Sequence, residues 1–277
     1  MTEANRTTAP PDAFHFGRNW QRYVERYLNP TRERIARQSL IELLEADLSG
    51  RTFLDIGAGS GLFSLCAYQL GAKRIVSVDV DAESAESCRA LRTSVGDPPH
   101  WEIIQGSILD RALLERVALA DVVYSWGVLH HTGDMYTAIR NASQLVAMDG
   151  IFAIAIYNHA RGRRLDSTRW LAIKRTYNRL PRSAQIASEL AYQAAWFVNE
   201  LRHGRNPMRM AREYKRSRGM ARRTDLIDWL GGYPYEFAAA EAIVEFCERE
   251  CGLRAEKVLS VPPTGTGNNQ FVFRRVG

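Results

Sequence analysis

Apolar residues recur along this chain in two alternating rhythms. From Trp20 to Leu48 the rhythm is helical: Ile35, Leu40, Leu43, Leu44 and Leu48 fall at helix spacing, and Ser49-Gly50 ends the run. Short apolar runs then take turns with helical stretches. The runs "RTFLDIG", "RIVSVDV", "WEIIQGS", "DVVYSW" and "GIFAIAIYN" predict five strands. Between them, Gly61 to Leu70, Ala82 to Ser94, Arg111 to Val117 and Met135 to Val146 predict helices. Such alternation is the mark of an α/β protein with a doubly wound, mostly parallel sheet and helices on both faces.

The alternation stops at His159 and resumes near Tyr235. In between, Arg169 to Leu180 and Ala184 to Leu201 read as helices, the second with Ile186, Leu190, Ala194, Phe197 and Leu201 along one face. A helix from Ala239 to Cys251 follows, then "RAEKVLSV" and "NQFVFRR". Split by "PPTGTGNN", these two runs suit an antiparallel pair at the sheet edge and bring the sheet to seven strands. The division is therefore a lead-in over residues 1–13, expected to be disordered, a core of 14–158 and 236–277, and an inserted helical cap at 159–235.

Composition adds little to this picture, but charge adds a good deal. The balance is ordinary for a globular chain, with 45% hydrophobic and 25% charged residues. No apolar run reaches the roughly 18 residues of a membrane span, and the first residues lack the apolar stretch of a signal peptide. A cytoplasmic protein is the expectation. Cys66, Cys88, Cys247 and Cys251 lack zinc-knuckle spacing and read as small buried side chains; no metal site is predicted. Net charge is +6, yet Asn158 to Tyr235 alone holds 17 Lys and Arg against 6 Asp and Glu. Basicity belongs to the insertion, which points to a local acidic partner.

Candidate chemistry centres on "LDIGAGSG". Asp55-Ile56 closes a strand, and Gly57, Gly59 and Gly61 form the turn into a helix. Glycine lets a ligand approach the backbone, and the helix start offers free amides. The spacing is G-x-G-x-G and not the G-x-G-x-x-G of hydride-transfer enzymes. A purely structural turn would use glycines too. Asp79 ends the next strand, 24 residues after Asp55, where a carboxylate can accept both hydroxyls of a ribose. Asp81 has the plainer reading of a helix N-cap. Together the two motifs narrow the ligand to an adenosine compound.

With "QGSILD" and "YSWGVLHHTGDMYTAI", these motifs resemble the ordered set of class I S-adenosylmethionine-dependent methyltransferases. The resemblance covers about Phe53 to Asn158 and the terminal strand pair. "GVLHHT" and "AIYN" look most like the bacterial small-molecule branch, which includes ubiquinone-biosynthesis-type O-methyltransferases. "FGRNW" at Phe16 to Trp20 and "DWLGGYPYEFA" at Asp228 to Ala238 look like that branch less diagnostically. The resemblance implies S-adenosylmethionine as cofactor. Asp55 and the three glycines would hold its methionine end, Asp79 its ribose, and Val80, Ser107 and Ile108 its adenine. Trp126 and Gly127 would line the sulfonium end. Ser107 departs from the pattern, since many relatives carry Asp there.

Methyl transfer needs alignment, and a base only if the acceptor must lose a proton. His130 and His131 follow the fourth strand at its carboxyl edge, where imidazole could take a phenol or carbinol proton. One could equally pack while the other caps the turn before Asp134. Tyr157 and Asn158 end strand five and complete the candidate catalytic set. Tyr233, Tyr235, Asn268 and Asn269 are further polar candidates, Gly231-Gly232 reads as a tight turn, and Trp20 could close the cofactor pocket or staple the core.

Three readings compete for the basic insertion. "RGRR" at Arg161 to Arg164 and the series Arg202, Arg205, Arg209, Arg212, Lys215, Arg216, Arg218, Arg222 and Arg223 could recognise an acidic small molecule, bind RNA, or form a solvated face. RNA is disfavoured because the run lacks interleaved aromatics for base stacking. The Ile186 to Leu201 helix could also dip into a membrane interface. The overall expectation is O-methylation of an acidic, phenolic or quinone-like small molecule. A tRNA or rRNA methyltransferase and a non-catalytic cofactor-binding module are the alternatives. Oligomeric state is not legible.

Overall fold

The computed structural model describes residues 29–162, 166–210 and 222–276. The 1–13 lead-in, "FGRNW" with Trp20, and Arg163, Arg164, Arg212, Lys215, Arg216 and Arg218 lie outside them, as do the side chains of Arg222 and Arg223.

Helix α1 (Pro30–Leu44) opens where extended Asn29 accepts from Arg32 N at 3.1 Å and Pro30 takes the first turn, where its missing N–H costs nothing. Next come β1 (Thr52–Ile56), α2 (Leu62–Gln69), β2 (Arg74–Asp79), α3 (Ala82–Ser94), β3 (Trp101–Gln105), α4 (Arg111–Arg116), β4 (Ala120–Trp126), a 3-10 turn (Leu129–His131), α5 (Met135–Gln144) and β5 (Val146–Tyr157). Aspartates start several of these helices. Asp81 accepts from Ser84 N, Asp110 from Ala112 N and Asp134 from Thr137 N. Helix α5 stops at Gln144, short of its predicted end, because Val146 pairs with Ala120 and opens β5.

After the insertion come α9 (Ala240–Glu250), β6 (Leu253–Leu259) and β7 (Asn268–Arg275). The seven strands lie in the order β3-β2-β1-β4-β5-β7-β6. Pairs from β3 through β5 are parallel, whereas β7 runs antiparallel to β5 and β6. The chain winds from β1 outward through β2 to β3, then restarts at β4 on the other side. That reversal opens a crevice above the carboxyl ends of β1 and β4, the usual ligand position in such sheets.

Period-two alternation sorts the core onto the two sheet faces. Leu54, Ile56, Val76, Val78, Val123, Ile154 and Phe271 pack with α5 and α9. Phe53, Ile75, Val122, Tyr124, Ile151 and Ala153 pack with α1, α2 and α3. β5 is covered on both sides, so Gly150 to Ile156 is one unbroken buried run. Each large apolar side chain buried there stabilises by roughly 1.5–3 kcal/mol. All four cysteines are free and buried.

The chain leaves the core at Asn158 and rejoins it at Ala238, where an isolated parallel bridge ties the two points. Tyr157 O accepts from Ala238 N at 3.0 Å beside it. Between them lie α6 (Ser167–Arg179), α7 (Arg182–Arg202) and α8 (Arg222–Gly231). Trp170, Tyr177, Leu226, Leu230 and Tyr235 give this segment a small core of its own, and Tyr157, Trp229 and Phe237 pack on it.

Candidate functional site

β1 delivers the chain into a turn in which Gly57, Gly59 and Gly61 all have positive φ. Gly57 and Ala58 donate to Val78 O at 2.7 and 3.0 Å, which pins the turn to the end of β2. Two of the glycines are required sterically as well as conformationally. A Cβ on Gly57 would stand 2.4 Å from the Val128 methyls, and one on Gly61 would stand 2.6 Å from Cys88 Sγ. The Gly57 contact is the more informative. It presses the loop after β4, which carries His130 and His131, directly against the glycine turn.

Beneath the turn, Asp55 is buried and ends a directed hydrogen-bond chain. Ser64 Oγ donates to Asp55 Oδ2 at 2.7 Å. Ser77 Oγ lies 2.7 Å from Ser64 Oγ and accepts from Trp101 Nε1 at 2.8 Å. The Ser64 proton is committed to Asp55, so Ser77 must be the donor between the serines, and every link polarises toward the carboxylate. Burial nevertheless pushes Asp55 up to about 7, against the Ser64 hydrogen bond and with the help of the Asp79 charge. Asp79 sits at the carboxyl end of β2. Its Oδ2 accepts from Gly59 N at 2.8 Å and its Oδ1 from Asp81 N at 2.9 Å. Burial raises it to about 6, opposed by those backbone donors. Two neighbouring acids, each reluctant to ionise, make a pocket that favours cations and hydroxyl donors.

Val80 follows Asp79 and is 55% exposed, an apolar surface at the rim of the crevice. Ser107 Oγ accepts from Leu109 N at 3.2 Å, and Ile108 is buried in the core. On the β4 side, Trp126 stacks on Tyr124 with ring centroids 5.7 Å apart. Gly127 donates to Ala155 O at 3.3 Å. A Cβ on it would come within 3.7 Å of Asn268 Nδ2, while Asn268 Oδ1 is a buried acceptor with no partner among the described residues.

The two histidines occupy different environments. His130 is fully buried; its Nδ1 accepts from Tyr157 N at 3.3 Å, so its proton is on Nε2. Burial, with His131 and Lys174 nearby, holds it well below the usual histidine range. His131 Nδ1 stands 2.5 Å from Pro234 O. A carbonyl can only accept, so Nδ1 carries the proton and Nε2 bears the lone pair. Burial pushes His131 down to about 3, opposed by the Pro234 carbonyl and aided by the Lys174 charge. The imidazole is therefore neutral at any working pH. Tyr157 links the pair, with ring centroids 4.0 Å from His130 and 5.4 Å from His131.

Lys174 was not singled out by the sequence, yet it is the insertion's largest contribution here. This fully buried lysine of α6 donates to Trp229 O. Its ammonium lies 4.4 Å from the Trp229 ring centroid, 4.8 Å from that of Tyr235 and 5.6 Å from that of Tyr157. One signal was available: Lys174 shares a helix face with Trp170 and Tyr177, where an apolar residue would be usual. Glu236 carries no sequence signal for its part. Its Oε1 accepts from Met135 N at 3.1 Å, and its own N donates to His130 O, so it braces the histidine turn.

The structure thus gathers Asp55, Asp79 and the glycines on one side, and His130, His131, Tyr157, Tyr235 and Lys174 on the other. Asn158 takes a different part. Its Nδ2 donates to Pro262 O and Gly265 O, and its Oδ1 accepts from Asn269 Nδ2. That amide is fully engaged in tying down the β6–β7 loop. Among the described residues, no group of three or more His, Cys, Asp or Glu is placed to hold a metal.

The chain matches known proteins in three ways. A curated relative, the ribosomal protein L11 methyltransferase of Vibrio campbellii, is 27% identical over 125 residues, covering 44% of this chain and 42% of that protein. The chain therefore aligns with less than half the length of that relative. Among solved structures, magnesium protoporphyrin IX methyltransferase from Synechocystis PCC 6803 with bound SAH superposes with a TM-score of 0.53 at 13% identity, covering 93% of each chain. An S-adenosylmethionine-dependent methyltransferase from Mesorhizobium loti gives 0.51 at 16% identity over 87% of this chain and 98% of its own. At such identities these structures share the fold. The methyltransferase-domain family model matches residues 21–195, well over half the chain, and the seven-stranded sheet with its glycine turn agrees with it. The chain belongs to the methyltransferase-domain family, of the class I S-adenosylmethionine-dependent fold.

Proposed function

We propose that this protein transfers a methyl group from S-adenosylmethionine to an oxygen of a small acidic or phenolic molecule. The residues present fit the cofactor: a glycine turn that side chains would fill, a buried acid beneath it, Asp79 at the β2 end and apolar Val80 beyond. When bound, S-adenosylmethionine supplies an electrophilic methyl on a sulfonium, so no other activation of the donor is needed. Asp55 and the turn would hold the methionine end, and Asp79 the ribose hydroxyls. Val80, with Ser107 and Ile108, would border the adenine, and Trp126 and Gly127 the sulfonium.

The observation that carries the acceptor half is the contact between Gly57 and Val128. It places the histidine loop against the cofactor turn. Neutral His131, with its proton held on Nδ1 by the Pro234 carbonyl, would orient the acceptor's hydroxyl through a hydrogen bond rather than carry off its proton. Tyr157 and Tyr235 offer flat apolar walls. The Lys174 charge behind them favours an acceptor that carries or develops negative charge. The basic insertion supports the same class of acceptor.

The test has two stages. Calorimetry with S-adenosylmethionine should show binding that Asp79→Asn weakens. Incubation with labelled cofactor and a panel of phenols and hydroxy-acids should then yield S-adenosylhomocysteine and a methylated product. Binding without turnover on any panel member or in cell extract would make the protein a cofactor-binding module instead.

A further inference from the structure

Helix α7 is turned inside out. Its acids face the protein: Glu189, 3% exposed, accepts from Tyr177 Oη at 2.9 Å and Arg182 Nη1 at 3.0 Å. Glu200, 4% exposed, pairs with Arg205 Nε at 2.6 Å. Its apolar residues face out. Ile186, Leu190, Phe197, Val198 and Leu201 are all exposed, Leu190 by 61% and Leu201 by 54%, with exposed Ala187, Ala191 and Ala194 between them. The spacing Ile186, Leu190, Ala194, Phe197, Leu201 is that of one continuous helical stripe. A stripe read from sequence alone would be assigned to a core; here it is a face that the described residues leave uncovered.

Charge decides what covers it. The stripe itself carries no acid. No Lys or Arg falls between Arg182 and Arg202, so cations sit only at the two ends, with exposed Arg175 before the helix and exposed Arg202 in its last turn, beyond Arg182 and Arg205, which pair with the inward glutamates. Residues 166–210 hold eight Lys and Arg against three Asp and Glu, and two of those acids are the inward glutamates. A second copy would pack α7 on α7 about a two-fold axis, setting the cationic start of one helix against the cationic end of the other. An anionic lipid surface has no such conflict. Apolar side chains enter the acyl boundary while the terminal arginines meet phosphate groups. No helix among the described residues is long and apolar enough to span a bilayer, so contact would be lateral.

We infer that the outward face of α7, about 31 Å long at 1.5 Å per residue, docks the protein on an anionic membrane surface. This is independent of the acceptor assignment above. Full-length protein is mixed with phosphatidylcholine vesicles, with or without about one-third phosphatidylglycerol, and floated on a density gradient. Recovery with the anionic vesicles should exceed that with neutral ones at least ~10-fold. Leu190→Glu with Phe197→Glu should abolish the difference and leave S-adenosylmethionine affinity and the thermal midpoint unchanged, since both side chains are exposed. Equal recovery of parent and double variant would overturn the inference, as would no flotation with either vesicle. A lipid-free dimer that the double variant dissolves would also overturn it, by giving the face to a second copy.

Discussion

Asp55 and Asp79 are acids held partly in reserve. Burial lifts them to about 7 and about 6, from an ordinary value of 3.8 for each. In the free protein the folded state therefore binds protons more tightly than the unfolded chain. Its relative stability falls as pH rises from the unfolded carboxylate value toward about 7. A bound ammonium or ribose favours the ionised form and reverses that trend. Affinity for S-adenosylmethionine should accordingly strengthen on raising pH through the interval from about 6 to about 7, with proton release measurable by calorimetry in buffers of different ionisation enthalpy. Asp79→Asn should weaken binding roughly 10- to 100-fold and flatten the pH dependence. His131 gives the opposite expectation. Held down at about 3, it stays neutral, so turnover at saturating S-adenosylmethionine should show no acidic limb near the usual histidine pKa. His131→Gln should lower kcat about 10-fold, through the lost orienting hydrogen bond, and leave cofactor affinity intact. Asp55, Asp79 and His131 were all visible in the sequence because each stands at a strand end beside a motif. Which histidine nitrogen is protonated was not, because the Pro234 carbonyl that decides it lies 103 residues away.

Strands and helices fold here as the hydrophobic pattern directs, and their contacts set the motif's rules. The β1–α2 turn touches the β4 loop through Gly57 and Val128. Gly57→Ala should thus be doubly penalised, by a φ of 74° and by the Val128 methyls, and cost about 2 kcal/mol or more in urea unfolding. Val128→Gly in the same chain should recover the steric part and leave the conformational part. α3 begins on Asp81 and β2 ends on Asp79, so one short stretch caps a helix and lines the site. Element types were legible because strands covered on both faces read as unbroken apolar runs and N-caps read as aspartates. The orientation of α7 was not, since periodicity identifies a face but not the surface it meets.

Over the whole molecule, a mostly parallel sheet carries the glycine turn and both acids, and an inserted helical segment packs its own small core against the end of β5. Lys174 couples the two, reaching from α6 to Tyr157 at the end of β5. Lys174→Met should orphan Trp229 O and strip the cation from three rings, destabilising the protein by about 1–3 kcal/mol. The same change should raise the His131 pKa from its value near 3, read from imidazole proton shifts, because one of the charges that hold it down is gone. A purely structural lysine would give the first effect without the second. By itself the sequence determined the alternation of strands and helices in a doubly wound sheet, the antiparallel pair at its edge, and the glycine turn with Asp55 and Asp79 at the strand ends beside it. All of these follow from local periodicity and short motifs. Tertiary structure alone decided that Lys174 is buried among aromatics, that Asn158 anchors a loop, that Pro234 sets the His131 tautomer, and that the apolar face of α7 looks outward. Each depends on partners distant in the chain, and pairwise proximity of that kind leaves no trace in periodicity or composition.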